Sequence, residues 1–350
     1  MKHPWKTALH AARPAATAAG AGALLAGAAA FAAALYVAGR RLTRRVPQGA
    51  VVVITGASRG LGFALASRFA QAGRVKLVLA ARDRPELERA QVSLLERHAH
   101  LEPADLHLVA ADLTVRSECQ RLVAEAFARF GRIDILVNNA GVIQVGPIEH
   151  QSLQTFDDAL SLMYRAALDT TWAALPRLRT QRPLPGWSRR AALVNIASIG
   201  GKVAVPHLLP YSAAKFAIVG FSEGLHAELK HTGIHVLTVC PGLMRTGGED
   251  HALFVGQKDK EAAWFRFGAK TPGLSSSVHH AAGKIVRSLE AGRAEITITP
   301  QAWLAARFAG LCPETTQWFA ALANRFILPG PAQPPAPQEA NAASTQPSVS

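Results

Sequence analysis

The chain has 350 residues, of which 49% are hydrophobic and 18% charged, and a formal net charge of +14. Such a hydrophobic share predicts a globular protein with a buried core and argues against an intrinsically disordered chain. Half of the positive excess lies in residues 1–45, which carry seven Lys or Arg and no acid. Because this charge flanks an uncharged segment and is not spread over a fold, it favours a membrane contact over nucleic-acid binding.

The cysteine pattern excludes two further classes of protein. Cys119, Cys240 and Cys312 are odd in number and far apart, and no CxxC or Cys/His ligand spacing occurs. The sequence therefore predicts neither a disulfide framework nor a metal site, and it fits a reducing compartment.

Residues 14–39 form an uncharged segment of 26 residues that is rich in Ala and Gly. As a helix this segment would extend about 39 Å, enough to cross the hydrocarbon core of a bilayer, about 30 Å thick. We expect residues 1–46 to be a membrane anchor with basic flanks; a cleaved signal peptide and a disordered leader are the alternatives. Since basic residues stand at both ends, charge does not predict the orientation.

From Ala50 onward, short apolar runs alternate with longer amphipathic segments. The apolar runs predict strands buried on both faces, at 50–55, 75–80, 106–111, 133–138, 191–197, 234–239 and 294–299. Segments of helical length lie at about 61–72, 85–99, 116–130, 152–178, 212–231 and 276–291. This alternation implies right-handed crossovers, so we predict an α/β, Rossmann-like, doubly wound parallel sheet of about seven strands over residues 47–300.

The first predicted strand runs directly into "TGASRGLG", in which three glycines have GxxxGxG spacing. Glycine permits unusual turn dihedrals and lets a pyrophosphate approach the backbone closely. The following helix N-terminus offers free N–H groups and a positive dipole end to that anion. A dinucleotide phosphate loop is favoured over a tight turn without a ligand. Its candidate contacts are Thr55, Gly56, Ser58, Arg59, Gly60, Leu61 and Gly62.

The end of the second strand bears on the cofactor type. An acidic residue there would bind the ribose hydroxyls of NAD, but "LAARDR" places Arg82 at this point. Arg82 and Arg59 would bracket a 2′-phosphate through their planar guanidinium groups, so the sequence favours NADP(H) over NAD(H). Asp83 is the contrary indication, since a small shift would aim its carboxylate at the ribose.

The C-terminal part follows Pro300. The apolar residues between positions 301 and 330 predict one or two amphipathic helices. These helices would either pack on the domain edge or rest on a membrane surface near the anchor. Residues 331–350 are polar and rich in proline, and we predict a disordered tail there.

Taken together, these motifs resemble the short-chain dehydrogenase/reductase family, in its single-domain branch, over residues 49–299. They follow the family order: "TGASRGLG", "ADL", "NNAG", a serine after the fifth strand, the tyrosine and lysine of "YSAAK", and "PGLMRT". The resemblance implies further cofactor contacts from Asp112, Leu113, Asn139, Ala140, Gly141, Tyr211, Lys215, Pro241, Gly242, Leu243 and Thr246. It also implies a homo-oligomer, formed mainly through the helices after the fourth and fifth strands.

Ser198, Tyr211 and Lys215 are the candidate catalytic residues. A carbonyl that accepts hydride develops alkoxide character and needs a proton donor and hydrogen-bond donors. Tyrosine has a free pKa of about 10, and a lysine one helical turn away favours the phenolate, so we expect Lys215 to lower the pKa of Tyr211. Ser198 would polarise the carbonyl, although by itself it would suggest only a strand-end cap. The resemblance adds that Lys215 holds the nicotinamide ribose.

One position departs from the family pattern. An asparagine that helps to hold a water in the family's proton relay would fall on Met163, and no asparagine occurs between residues 140 and 194. A thioether donates no hydrogen bond and accepts only weakly. We therefore expect an enzyme with an altered proton path, served by Lys215 and other water contacts.

The substrate side is predicted less directly. Residues 247–277 should form a flap whose apolar side chains either line a pocket or pack on the sheet edge. Combined with the anchor, the flap suggests a lipophilic ketone or alcohol. Because a cofactor of this type is found in the cytosol, we expect a membrane-anchored protein whose catalytic domain faces the cytoplasm. The leading hypothesis is an NADP(H)-dependent oxidoreductase; the alternative is a non-catalytic NADP(H)-binding sensor or scaffold. The flap's apolar side chains are Leu253, Phe254, Val255, Trp264, Phe265 and Phe267.

Overall fold

A computed structural model describes residue 27 and residues 45–245, 252–271 and 275–330. The predicted anchor over residues 14–39, apart from Gly27, lies outside this set, as do Thr246 and the predicted tail at 331–350. Among the residues described, no helix combines the length and the apolarity that a membrane span requires. The anchor stays a prediction.

A central sheet of seven parallel strands confirms the predicted α/β architecture. Its strands are β1 (Val51–Thr55), β2 (Lys76–Ala81), β3 (Leu106–Ala110), β4 (Ile135–Asn138), β5 (Ala191–Ile196), β6 (Ile234–Cys240) and β7 (Glu295–Thr297). In this chain-order numbering the strands lie in the order β7-β6-β5-β4-β1-β2-β3. The winding direction reverses between β1 and β4, and the carboxyl ends of parallel strands leave a ligand crevice at such a reversal.

Helices cover both faces of the sheet and extend beyond it. They are α1 (Gly60–Ala72), α2 (Arg84–Arg97), α3 (Arg116–Phe130), α4 (Leu153–Leu160), α5 (Ala166–Thr180), α6 (Leu209–Leu229), α7 (Lys258–Lys270), α8 (Val278–Glu290), α9 (Pro300–Leu311) and α10 (Pro313–Phe326). The predicted segment 152–178 is divided by a π-helical turn, Ser161–Arg165. Helix α7 lies in the flap and was not predicted as a helix.

The strands are apolar throughout because each face of the sheet meets a helical layer. Val52 and Ile54 of β1 pack in the cluster that includes apolar residues of α1, α2 and α8. Val51 and Val53 pack in the cluster that includes residues of α3, α5 and α6. Alternate side chains of one strand thus enter two cores, as expected for a parallel sheet covered on both sides.

Two short strand pairs hold the described parts of the flap against the domain. Gln144–Val145, after β4, pairs in parallel with Leu253–Phe254. Met244–Arg245, after β6, pairs in parallel with Ser276–Ser277. Helix α7 follows the first pair, and its Phe265 packs with Val145 and Leu208.

The C-terminal helices α9 and α10 leave much of their apolar surface uncovered. A cavity of about 560 Å³ lies where residues of both helices face the segment Lys202–His207. Exposed apolar residues on and just after the two helices are Trp303, Leu304, Phe308, Leu311, Trp318, Phe319, Leu322, Phe326 and Ile327. Packing on the domain edge, one of the two alternatives from the sequence, therefore does not account for most of these side chains.

Candidate active site

The loop between β1 and α1 is shaped by its glycines. Gly56 and Gly60 have φ values of +64° and +56°, a region that favours glycine. A Cβ on Gly62 would lie 2.1 Å from the Gly56 carbonyl oxygen, so no side chain fits there. Helix α1 begins at Gly60, and the backbone N–H groups of its first turn have no partner within the helix. The glycines next to these groups carry no side chain that would block a ligand. This cradle fits a pyrophosphate group.

Thr55 and Asn139 join the phosphate loop to the loop after β4. The Thr55 Oγ1 accepts hydrogen bonds from the backbone N of Asn139 at 2.8 Å and of Ala140 at 3.0 Å. In return, Asn139 Nδ2 donates to the carbonyls of Thr55 at 2.9 Å and Gly56 at 3.1 Å. The candidate residues of both loops are thus brought together at the reversal between β1 and β4.

The ribose side of the loop contains one residue that sequence reasoning missed, Glu86. Arg59 Nη1 lies 2.6 Å from Glu86 Oε1, and Ser58 Oγ donates to Glu86 Oε2 at 2.9 Å. The contrary indication from Asp83 is weakened, because its carboxylate accepts from the Glu86 backbone N at 2.8 Å and caps α2. The sequence shows an acidic residue at position 83, but it does not show that Asp83 caps α2.

Asp112 and Arg82 are exposed near the same edge. Hydrogen bonds from the Thr114 backbone and hydroxyl hold the pKa of Asp112 below its usual range, and the nearby Arg82 charge adds to the effect. In contrast, the side chains of Leu61 and Leu113 are buried at 7% and 4% exposure, so each offers only backbone groups to a ligand.

Ser198, Tyr211 and Lys215 meet beyond the carboxyl end of β5. Ser198 begins the turn Ile199–Gly201, and its Oγ accepts from the Gly200 N at 3.0 Å and hydrogen-bonds with Tyr211. Tyr211 lies in the first turn of α6, and Lys215 Nζ lies 5.6 Å from the centre of its ring. The turn packs directly on α6, because a Cβ on Gly201 would lie 2.3 Å from the Lys215 carbonyl oxygen.

The electrostatics of this cluster differ from the expectation. Burial raises the pKa of Tyr211 to about 12, against a smaller lowering by the Ser198 hydrogen bond. Burial also lowers the pKa of Lys215 to about 8. Lys215 Nζ donates to the Ile196 carbonyl at 2.8 Å and does not offset the desolvation of the phenol. In this structure, therefore, the predicted lowering of the Tyr211 pKa is not present, although a lysine with pKa about 8 is still mostly charged at neutral pH.

A buried polar network, also missed from the sequence, links the strands beneath the site. Asn138 Nδ2 donates to Asn195 Oδ1 at 2.9 Å, and Asn195 Nδ2 donates to Ser222 Oγ at 3.0 Å. Thr238 Oγ1 completes the chain by donating to Ser222 Oγ at 2.7 Å. The network ties β4, β5 and β6 to α6, and buried polar groups satisfied in this way fix one arrangement of the elements they join.

Met163 occupies the position that the resemblance assigns to the relay asparagine, and it lies near Lys215. It is buried in the π-helical turn, and a Cβ on Gly141 would lie 3.4 Å from Met163 Sδ and 3.7 Å from Lys215 Nζ. No asparagine side chain occupies this place, so the usual relay group is absent there.

The loop after β6 closes the site on one side. The Pro241 carbonyl accepts from the Ile199 N at 2.7 Å, and a Cβ on Gly242 would lie 2.3 Å from Thr299 Oγ1. Leu243 is 38% exposed, and Thr246 lies outside the described residues. Within the described part of the chain, no group of three or more His, Cys, Asp or Glu side chains is arranged to hold a metal ion.

The flap side chains divide into two groups. Phe265 is buried with Val145 and Leu208, and Phe254 and Trp264 pack against that cluster together with Tyr211. Leu253 and Phe267, however, are 54% and 72% exposed, so these two side chains are not part of the buried cluster.

Sequence comparison agrees with this geometry. The family model for short chain dehydrogenases matches residues 50–252. The chain belongs to the short-chain dehydrogenase/reductase family. Its membership confirms the resemblance inferred from the motifs, and it makes the protein an NAD(P)-dependent oxidoreductase that acts on CH–OH groups.

Two curated family members illustrate the extent of the similarity. The chain is 32% identical over 271 residues to the dehydrogenase/reductase SDR family protein 7-like of Anopheles gambiae, covering 77% of this chain and 81% of the relative. It is 32% identical over 292 residues to 11-beta-hydroxysteroid dehydrogenase A of Sesamum indicum, covering 82% of this chain and 78% of the relative.

Solved structures of the family share the fold. A short-chain dehydrogenase from Streptomyces avermitilis superposes with a TM-score of 0.64 at 28% identity, covering 80% of this chain and 98% of that one. L-sorbose reductase from Gluconobacter frateurii, complexed with NADPH and L-sorbose, superposes with a TM-score of 0.61 at 25% identity. The match covers 73% of this chain and 97% of that one. A short chain dehydrogenase/reductase SDR from Burkholderia phymatum, in complex with NAD, has a TM-score of 0.66 at 24% identity, covering 77% of this chain and 95% of that one.

Proposed function

We propose that this chain is a membrane-anchored, NADP(H)-dependent oxidoreductase that interconverts a carbonyl and a secondary alcohol on a lipophilic substrate. The observation that carries the proposal is the meeting of Ser198, Tyr211 and Lys215 at the edge of a glycine cradle. The bound nicotinamide supplies or accepts the hydride. The other roles are assigned to side chains of the protein and to water.

Tyr211 is the proposed proton donor and acceptor. With its pKa raised to about 12 it holds its proton at neutral pH, as a donor in carbonyl reduction must. Ser198 hydrogen-bonds with Tyr211 and polarises the substrate oxygen beside it. For alcohol oxidation the phenolate must become accessible, and the Lys215 charge and an oxidised nicotinamide would favour it.

Lys215 is also the proposed link to the proton supply and the cofactor ribose. Its Nζ keeps two hydrogen-bonding positions beyond its bond to the Ile196 carbonyl, since an ammonium has three donors. Met163 Sδ lies on the same side of the site and cannot donate a proton. We therefore assign proton delivery to Lys215 and to water, without a side chain at position 163.

The preference for NADP(H) rests on the arrangement after β2. Asp83 Oδ1 is engaged as the α2 cap, which weakens the case for a role of this carboxylate at the ribose. Arg82 and Arg59 are both exposed at this edge, and Arg59 is held by Glu86. A guanidinium recognises a phosphate through paired hydrogen bonds, so both arginines suit a 2′-phosphate.

Replacing both arginines should weaken the preference for NADPH over NADH. For the double variant Arg59→Ala/Arg82→Ala, we expect the Kd of NADPH to rise by about 10- to 100-fold, because two charge-assisted contacts are lost. The Kd of NADH should change by less than about threefold. Isothermal titration with each dinucleotide checks this, with Arg89→Ala on the exposed face of α2 as the control. Equal losses for both dinucleotides would contradict the assignment.

A lipophilic substrate is supported by the apolar surroundings of Tyr211. Val145, Leu208 and Phe265 form the buried part of that wall, and Phe254 and Trp264 add aromatic surface. Apolar pockets with a few polar groups are typical of sites for such ligands.

Membrane association is proposed through residues 14–39, with the catalytic domain in the cytoplasm. Exposed tryptophan and phenylalanine side chains on α9 and α10 support a second contact with the same bilayer. Flotation of the full chain with phosphatidylcholine vesicles tests this proposal, and a reporter fused to residues 1–46 that stays in the soluble fraction would defeat the anchor.

We also propose a homo-oligomer assembled through α5 and α6. Trp172 on α5 is 73% exposed and Phe216 on α6 is 44% exposed, and both are large apolar side chains on those helices. Sedimentation velocity of the full chain tests the assembly; a monomer at micromolar concentration would count against it.

The function itself is tested with a panel of ketones. We expect loss of NADPH absorbance with lipophilic ketones and little with small polar ones. Tight NADPH binding without turnover of any ketone or alcohol would instead favour the non-catalytic sensor or scaffold.

A further inference from the structure

A buried histidine–glutamate pair joins the segment before α6 to helix α7. His207 Nδ1 lies 2.8 and 2.9 Å from the two carboxylate oxygens of Glu261, and the side chains are 5% and 0% exposed. Trp264 Nε1 donates to Glu261 Oε2 at 2.7 Å. A carboxylate only accepts hydrogen bonds, so His207 Nδ1 carries the donated proton. Burying a carboxylate costs free energy unless it is hydrogen-bonded or paired, whereas a surface ion pair contributes little to stability. The His207–Glu261 contact belongs to the first kind.

The backbone of His207 is also unusual. Of the described residues other than glycine, only His207 has a positive φ, at 63°. Its carbonyl accepts from the Gly146 N at 2.8 Å, in the loop after β4. Non-glycine residues in this conformation cost free energy and persist only where the surrounding contacts hold them. Main chain and side chain together therefore connect three segments at this residue.

These contacts lead directly to the proposed proton donor. His207 precedes the start of α6 by two residues and Tyr211 by four. Leu208, next to His207, is buried with Phe265 of α7, and the rings of Tyr211 and Trp264 pack against them. Both ends of the His207–Glu261 pair thus border the apolar wall around Tyr211.

We propose that His207 and Glu261 are positioning residues, whose hydrogen bonds seat α7 against the start of α6. In that position α7 holds the Tyr211 ring and the apolar wall that receives the substrate. The inference rests on the proposed role of Tyr211, but the seating of α7 is a separate, measurable property.

Two substitutions of His207 distinguish the contribution of its side chain from that of its backbone conformation. His207→Gly keeps a residue suited to the positive φ and removes the imidazole. His207→Asn tolerates the same backbone and retains an N–H donor on a short side chain, so it is the conservative variant. His107→Gln is the matched control, since His107 and Glu125 form a pair at 3.1 Å that is 28% and 35% exposed.

Limited trypsin digestion of the full chain measures the seating of α7 without any substrate. Lys258 and Lys260 are exposed at the start of this helix, and cleavage after them is followed by fragment mass. We expect His207→Gly to be cut there about tenfold faster than the native chain, because local opening becomes easier. His207→Asn and His107→Gln should be cut at close to the native rate.

Steady-state kinetics measure the positioning of Tyr211. For His207→Gly we expect kcat/KM for the best ketone of the panel to fall by about 100-fold, because small misplacements of reacting groups are costly. The Kd of NADPH should stay within about twofold, since the hydrogen bonds of the His207 and Glu261 side chains involve no residue of the glycine loop after β1. His207→Asn should recover most of the loss.

The two measurements distinguish a failure of the proposed role of the pair from a failure of the proposed function. Native trypsin resistance in His207→Gly, or equal losses in the Gly and Asn variants, would overturn the proposed role of the pair. A loss confined to NADPH binding would overturn it as well. If the native chain reduces no ketone, the proposed function fails while the trypsin result still decides whether the pair seats α7.

Discussion

Tyr211→Phe should reduce kcat for ketone reduction by about 10²- to 10⁴-fold, the range that general acid catalysis contributes. The substitution removes only the hydroxyl, so the ring keeps its packing beside Leu208 and Phe265. Because the hydroxyl bonds to Ser198 and the glycine loop after β1 is left unchanged, the Kd of NADPH should change by less than about twofold. Single-turnover oxidation of NADPH, with fluorescence titration of the cofactor, checks both expectations.

Tyr164→Phe is the matched control for this experiment. Tyr164 lies in the π-helical turn and meets the Phe221 ring edge-on at 5.9 Å, without a part in the proposed chemistry. We expect its kcat to remain within about twofold of the native value. Native activity in Tyr211→Phe would refute the assignment of the proton donor, and a parallel loss of NADPH affinity would point to a collapsed site instead.

Gly62→Ala should strongly weaken NADPH binding and lower the free energy of unfolding. The added Cβ would lie 2.1 Å from the Gly56 carbonyl oxygen and 2.7 Å from Asn139 Nδ2, and backbone atoms cannot move aside as a flexible side chain can. We expect a loss of about 1–3 kcal/mol in stability, typical of overpacking, and a Kd for NADPH raised by at least about 30-fold. Urea unfolding and cofactor titration measure the two effects.

Gly220→Ala provides the control for that substitution. Gly220 is exposed within α6, and a Cβ there would meet no atom within 4 Å. Since glycine in a helix is less stable than alanine, we expect a gain of about 0.5–1 kcal/mol and unchanged NADPH binding. Should both variants bind NADPH like the native chain, the loop after β1 would not be the phosphate cradle.

Much of the fold was predictable because its patterns are local. The run from Val51 to Thr55 is apolar at every position, which indicates burial on both faces, and the structure packs alternate residues of it into two cores. The break at Ser161–Arg165 was not predictable, since nothing in the helical pattern marks a π-helical turn. Helix α7 was missed because its residues lie in a segment that the sequence suggested only as a flap.

The candidate site shows the same division. The spacing of Tyr211 and Lys215 placed both on one face of a helix, and the structure has them on α6 with the ammonium 5.6 Å from the ring. The direction of the Tyr211 pKa shift was predicted wrongly for this structure, since burial outweighs the charge of the lysine. Desolvation depends on what packs around a group, and the neighbours of Tyr211 come from distant parts of the chain.

The sequence by itself determined the parallel sheet and the glycine loop, and its resemblance to the family singled out the three candidate catalytic residues. The sheet and the loop follow from local patterns, namely continuous apolar runs and the spacing of the glycines. Only the tertiary structure decided that Asp83 is engaged as a cap, that Glu86 holds Arg59, and that His207 pairs with Glu261. His207 and Glu261 are 54 positions apart in the chain, and no local pattern specifies which side chains a fold brings together across such a distance.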